Sequence, residues 1–102
     1  MIHVLATVDL APGTRDAFLK EFRAILSDVR AEKGCLQYGP TVDVDTGIPA
    51  QGKIGPDRVL IIEQWESVDA LKAHLVAPHM QAYRPRVKDY VKGMELRVVS
   101  PT

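Results

Sequence analysis

The chain has 102 residues, room for one domain of ordinary size. That excludes a TIM barrel, at roughly 250 residues, and any two-domain dehydrogenase. Lys plus Arg is 13 and Asp plus Glu is 13, so the chain carries no electrostatic footprint for nucleic acid or an anionic membrane. Hydrophobic residues make up 46% and charged residues 25%, the balance of a globular domain rather than a disordered one. The single cysteine, Cys35, excludes an internal disulfide framework and fits a reducing, cytoplasmic setting. The longest aliphatic run, Val59-Leu60-Ile61-Ile62, is far too short to span a bilayer. Met1-Ile2-His3-Val4 shows no basic region followed by an apolar stretch, which predicts no signal peptide.

In chain order, Ile2, Val4, Ala6, Val8 and Leu10 alternate with His3, Leu5, Thr7 and Asp9, the period of a strand. Pro12-Gly13 breaks the pattern and Thr14 is placed to cap a helix. Phe18, Phe22, Ile25, Leu26 and Val29 then recur at helical spacing, which predicts one amphipathic helix of about five turns ending at Gly34. Residues 35–45 read as a strand interrupted near Gly39-Pro40, and the Gly- and Pro-rich residues 46–57 as a loop. Residues 58–66 form the clearest strand, apolar and β-branched. Ser67 is an N-cap for a helix carrying Ala70, Leu71, His74 and Leu75. Pro78 opens a second helix, with Met80, Tyr83, Val87, Tyr90 and Val91 on one face, Pro85 as a kink and Gly93 as its end. Met94, Leu96 and Val98 mark a last strand.

The order β-α-β-β-α-β predicts an α+β fold of the ferredoxin-like, split β-α-β kind: one antiparallel sheet with helices on one face, residues 1–102 forming a single domain. Val59, Ile61, Glu63 and Trp65 share one face of the third strand, and Leu60 and Ile62 lie on the other. A solvated face would show a polar stripe. Its absence predicts a homodimer in which a second sheet covers the open face.

No metal motif is visible. His74 and His79 are five residues apart across Pro78, unlike the i, i+4 pair of a zinc helix. No phosphate cradle and no flavin or nicotinamide signature is present, so the expectation is no metal and no cofactor. His74 lies on the side of Leu71 and Leu75, and serves either as a general base or as a half-buried ring bonded to backbone. His79, at a helix start, is either a base or an exposed first-turn residue. Glu63 between Ile61 and Trp65 must find a donor or have its pKa raised; an arginine ion pair is the plainer expectation. Trp65 and Tyr83 are core residues or walls of a pocket, and Arg84 supplies a cation beside them.

The stretch Val29-Arg30-Ala31-Glu32-Lys33-Gly34-Cys35-Leu36-Gln37-Tyr38 and, more strongly, Glu63-Gln64-Trp65-Glu66-Ser67 leading into Ala70-Leu71-Lys72-Ala73-His74-Leu75 and Pro78-His79-Met80 carry a resemblance. The chain resembles the antibiotic biosynthesis monooxygenase family over nearly its whole length, close to its quinol monooxygenase branch. The resemblance implies a homodimer whose sheets pack into a dimeric α/β barrel, with a pocket between sheet and helices. It implies oxygenation of a phenol, quinol or anthrone by O2 without metal or flavin. Carried onto this chain, His74 or His79 would be the catalytic base, Trp65 and Tyr83 would contact the substrate ring, and Glu63 or Arg84 would bond a substrate oxygen. The haem-degrading branch of the same fold relies on an Asn, a helix Trp and a later His; this chain has no Asn, with His74 and Arg84 at the other two positions. The rival from another class is a non-catalytic homodimer that binds a small ligand or plays a structural part.

Overall fold

The computed structural model describes all 102 residues. The elements run β1 (Ile2–Leu10), α1 (Arg15–Ala24), α2 (Leu26–Arg30), β2 (Cys35–Thr41), β3 (Arg58–Trp65), α3 (Val68–Leu75), α4 (Pro78–Val87) and β4 (Val91–Val99). The four strands form one sheet in the order β2-β3-β1-β4, with every neighbouring pair antiparallel. The fold is α+β and ferredoxin-like, as the element order predicts. The sheet of one chain is open.

Pairing sorts the side chains into two faces. Val4 opposes Glu63, Ala6 opposes Ile61 and Val8 opposes Val59, so these six share the helix face. Tyr38 extends that face on β2, and Val98, Leu96 and Met94 on β4. Buried Val4, Val8, Phe18, Phe22, Val29, Val59, Trp65 and Leu71 form the core between sheet and helices. The helices do not reach the outer edge: Met94, Leu96 and Val98 stay exposed. Leu5, Leu60 and Ile62 lie on the opposite, open face and are half-buried.

Four local expectations are corrected. The first helix is not continuous; it breaks at Ile25 into α1 and α2. Thr14 does not cap it with its side chain, because its hydroxyl donates to the Ala11 carbonyl instead. β2 runs unbroken through Gly39-Pro40, and its irregularity falls between Cys35 and Gln37. Pro40 is tolerated because β2 is an edge strand. The last helix stops at Val87 rather than near Gly93, two residues past Pro85, whose missing N–H weakens that turn. Tyr90 then bonds Ala11 through its carbonyl, and Gly93 is a residue of β4 opposite Asp9. Ser67 caps α3 as expected, accepting from the Ala70 N–H at 3.1 Å. No helix is long and apolar enough to cross a membrane.

Candidate active site

A cavity of about 360 Å³ lies between the helix face of the sheet and α1, α3 and α4. That size falls in the range of small-molecule pockets, roughly 300–1,000 Å³. Its wall is mostly apolar, including Phe18, Phe22, Ile61 and Met80, and it extends to Met94 and Leu96 on β4. The polar groups on the wall are few: Glu63, His74, Tyr38, Tyr83, Arg84 and Lys88.

α3 presents His74 to this cavity, with the ring 2% exposed. The imidazole packs against Trp65, with ring centroids 4.8 Å apart, and against Tyr38 at 5.2 Å. Its Nδ1 lies 2.9 Å from Oε2 of Glu32. The same oxygen lies 2.6 Å from Nε2 of His79. A carboxylate oxygen only accepts, so both rings donate to it. This assigns the proton of neutral His74 to Nδ1 and leaves the lone pair on Nε2. No chain group bonds Nε2, and no fully buried polar atom lacks a partner. That nitrogen therefore keeps its access on the cavity side. Burial holds the His74 ring below the ordinary histidine pKa; the Glu32 bond and charge pull it back up, and His79 and Arg84 push it down. The arrangement is an imidazole oriented by a carboxylate, a pairing that fixes the ring's tautomer.

Glu63 is buried on the central strand β3 and finds no arginine. Its partner is Trp65, whose indole N–H donates to Oε1 at 2.9 Å. Burial pushes the Glu63 pKa up to about 7; the Trp65 bond works against that and the Glu32 charge adds to it. Near neutrality this carboxyl is poised between a proton donor and an acceptor on the cavity wall. Burial also raises the phenol pKa values of Tyr38 and Tyr83, with Glu63 adding to the first and the arginines Arg84 and Arg86 opposing the second. Both phenols stay protonated.

Of the residues singled out from sequence, His74, Glu63, Tyr83 and Arg84 line the cavity together. Arg84 also donates to the Leu75 carbonyl at the end of α3. Trp65 is fully buried behind the wall and touches the cavity through Glu63 and His74. His79 does not line it; it bonds the same Glu32 oxygen as His74. Glu32 stands in the first of the stretches that carry the family resemblance, but nothing in the sequence marks it as a site residue. It follows α2 in an irregular turn, 42 positions from His74. Gly34 brings that turn close: at φ +86° it passes α3 so tightly that an added Cβ would lie 2.7 Å from the Ala70 Cβ. The Gly34 carbonyl accepts from Glu66 N–H at 2.8 Å and pins the turn to the end of β3.

Comparison with known proteins agrees with this fold. The family model described as antibiotic biosynthesis monooxygenase matches residues 1–86. The chain is 42% identical over 103 aligned positions to the Escherichia coli K12 protein named "Probable quinol monooxygenase YgiN", covering 99% of this chain and 98% of that protein. Among solved structures, PA3566 from Pseudomonas aeruginosa superimposes with a TM-score of 0.79 at 26% identity, covering 99% of this chain and 93% of that one. Rv0793 from Mycobacterium tuberculosis gives 0.78 at 24% identity, covering 99% and 94%, a likeness of fold. The chain belongs to the antibiotic biosynthesis monooxygenase family, and its activity at the coarse level is that of a monooxygenase.

Proposed function

We propose that the protein is a cofactor-independent monooxygenase that oxidises a quinol, phenol or anthrone-type small molecule with O2, acting as a cytoplasmic homodimer. The observation that carries this reading is the Glu32–His74 bond of 2.9 Å, which leaves the His74 Nε2 lone pair on the wall of an apolar cavity. The 42% identity to a protein named as a probable quinol monooxygenase supports the substrate class.

In this mechanism His74 Nε2 takes the phenolic proton, and the Glu32 carboxylate stabilises the imidazolium that forms. The electron-rich anion passes one electron to O2, and the resulting radical pair recombines to a carbon-bound peroxide. The peroxide takes the proton back from His74, and its O–O bond breaks with loss of the hydrogen on that carbon. One oxygen stays on the substrate and the other is released as water. The remaining side chains position and exclude water. Phe18, Phe22, Tyr83 and Met80 hold the ring in an apolar setting. Glu63 or Arg84 bonds a substrate oxygen. His79, bonded to the same Glu32 oxygen and absent from the cavity wall, positions that carboxylate rather than meeting the substrate.

The test is oxygen consumption by chelator-treated protein against a panel of reduced naphthoquinols and anthrones, with autoxidation subtracted. The reading expects saturable uptake that survives the chelator and falls about 100-fold or more in His74→Ala. Uptake no greater than autoxidation across the panel would contradict it and favour a ligand-binding dimer.

A further inference from the structure

The Glu32 cluster holds more than the proposed reaction uses. One carboxylate suffices to orient His74, yet a second histidine from a different helix meets the same oxygen and does not line the cavity. His74 Nδ1 and His79 Nε2 lie 2.9 and 2.6 Å from Glu32 Oε2, and one ligand atom from each of the three residues lies within 4.8 Å of the others. Three chain segments, the turn after α2, α3 and the first turn of α4, bring them together. Two imidazole nitrogens and one carboxylate oxygen are a donor set of borderline softness, suited to Zn2+ and similar first-row divalent ions.

We propose that Glu32, His74 and His79 form a zinc-class metal site outside the cavity, whose occupation disables the base. The binding stands on the cluster's geometry alone; the effect on turnover rests on His74 being the base.

Zinc bonds to nitrogen and oxygen of about 2.0–2.1 Å in a tetrahedral site put the donors about 3.3–3.4 Å apart. Drawing in a cluster spread over as much as 4.8 Å takes a movement of about 1.4 Å. His79 is placed to make it, in the turn that Pro78 opens and 22% exposed, against 13% for Glu32 and 2% for His74. Its exposed side admits water as a fourth ligand. The nearby cation Arg84 is held on the Leu75 carbonyl.

The proton balance follows from the tautomers, and nothing is oxidised or reduced. Without metal, His74 Nδ1–H and His79 Nε2–H donate to Glu32. On the ion those nitrogens offer lone pairs, and each ring carries its proton on its other nitrogen. His74 Nε2 then becomes an N–H donor facing the cavity, unable to take a phenolic proton. Zinc inhibits without entering the cavity.

The experiment is calorimetric titration of zinc chloride into chelator-stripped, full-length protein, paired with 15N NMR of the histidine rings. The expected result is one ion per chain with micromolar affinity, weakened about tenfold or more in both Glu32→Gln and His79→Ala. The His74 proton moves from Nδ1 to Nε2 as zinc saturates. His3→Ala, on the open face of the sheet, retains the affinity. Circular dichroism confirms each variant's fold, and the two cluster variants serve as independent checks. No saturable binding below about 100 µM, binding indifferent to both variants, or bound zinc with His74 still protonated on Nδ1 would overturn the proposal. None of these readouts uses turnover, so they stand apart from the monooxygenase reading, and a failure to bind zinc leaves the base assignment intact.

Discussion

A single oxygen of Glu32 holds two histidines, and the consequences differ for each. His74 is left with its lone pair at the cavity, whereas His79 is held away from it. Replacing Glu32 by Gln removes the negative charge that would stabilise the imidazolium. We expect kcat to fall about 10–100-fold, Glu32→Asp to recover part of it, and the Nδ1–H share of His74 to drop in 15N spectra. An unchanged kcat would show that the carboxylate does not act on the base. Both histidines were legible in the sequence as candidates. Their division of labour was not, because it depends on a partner 42 positions away in an irregular turn. Glu63 is legible as an anomaly on an apolar strand; its Trp65 partner, two residues on along the same face, reads from sequence as a core residue or a pocket wall, not as the partner of Glu63. Glu63 also makes a stability prediction. Its pKa is about 7 in the fold against 4.5 as the ordinary value. The folded state therefore binds the proton more tightly. The stability this gives is fully present below pH 4.5 and is lost as pH rises through about 7. Facing Glu63 are Tyr38 on β2, His74 on α3, and Tyr83 and Arg84 on α4, with the Glu32 charge behind. Glu63→Gln, which keeps an acceptor for the indole, should gain relative to the parent from pH 5 to pH 8, by at most about 3 kcal/mol. Denaturant melts at the two pH values check this, and a pH-independent difference would contradict it.

Among the elements, β1 and β4 follow from period-two spacing and β3 from its apolar, β-branched run, and Ser67 and Pro78 mark the starts of α3 and α4. What escaped was set by tertiary contact. The apolar stripe of residues 18–29 carries across the break at Ile25, since Phe22, Ile25 and Val29 are all buried whether or not the helix is continuous. The end of α4 was hidden because Tyr90 and Val91 keep an apolar pattern after the helix has given way to a turn and β4. Gly34 is the hinge on which the site depends, since it alone lets the Glu32 turn approach α3. Gly34→Ala combines a positive φ with a 2.7 Å contact to Ala70 Cβ. We expect a loss of about 2 kcal/mol or more, lowering Tm by roughly 8 °C or more. Loss of the His74–Glu32 contact should follow in the 15N spectra. A Tm within about 2 °C of the parent would mean that the turn moves aside without cost.

For the whole molecule, the question is what covers the sheet. Leu5, Leu60 and Ile62 line the open face, and Met94, Leu96 and Val98 are exposed beside the cavity. A second copy of the chain would bury them and complete the barrel that one open sheet cannot close. Sedimentation should give twice the 11.3 kDa of one chain, and Ile62→Arg should shift it towards the monomer. A monomer at high concentration would contradict the homodimer. The measurement that bears most directly on the account is anaerobic titration of the protein with a reduced naphthoquinol near pH 7, followed by the ultraviolet difference spectrum of the ring. Without O2 the sequence halts after proton transfer. The account predicts the quinolate spectrum on binding to the parent protein, and binding without ionisation in His74→Ala. Quinolate of equal intensity in both proteins, or none in the parent at saturation, would contradict the claim that His74 is the base.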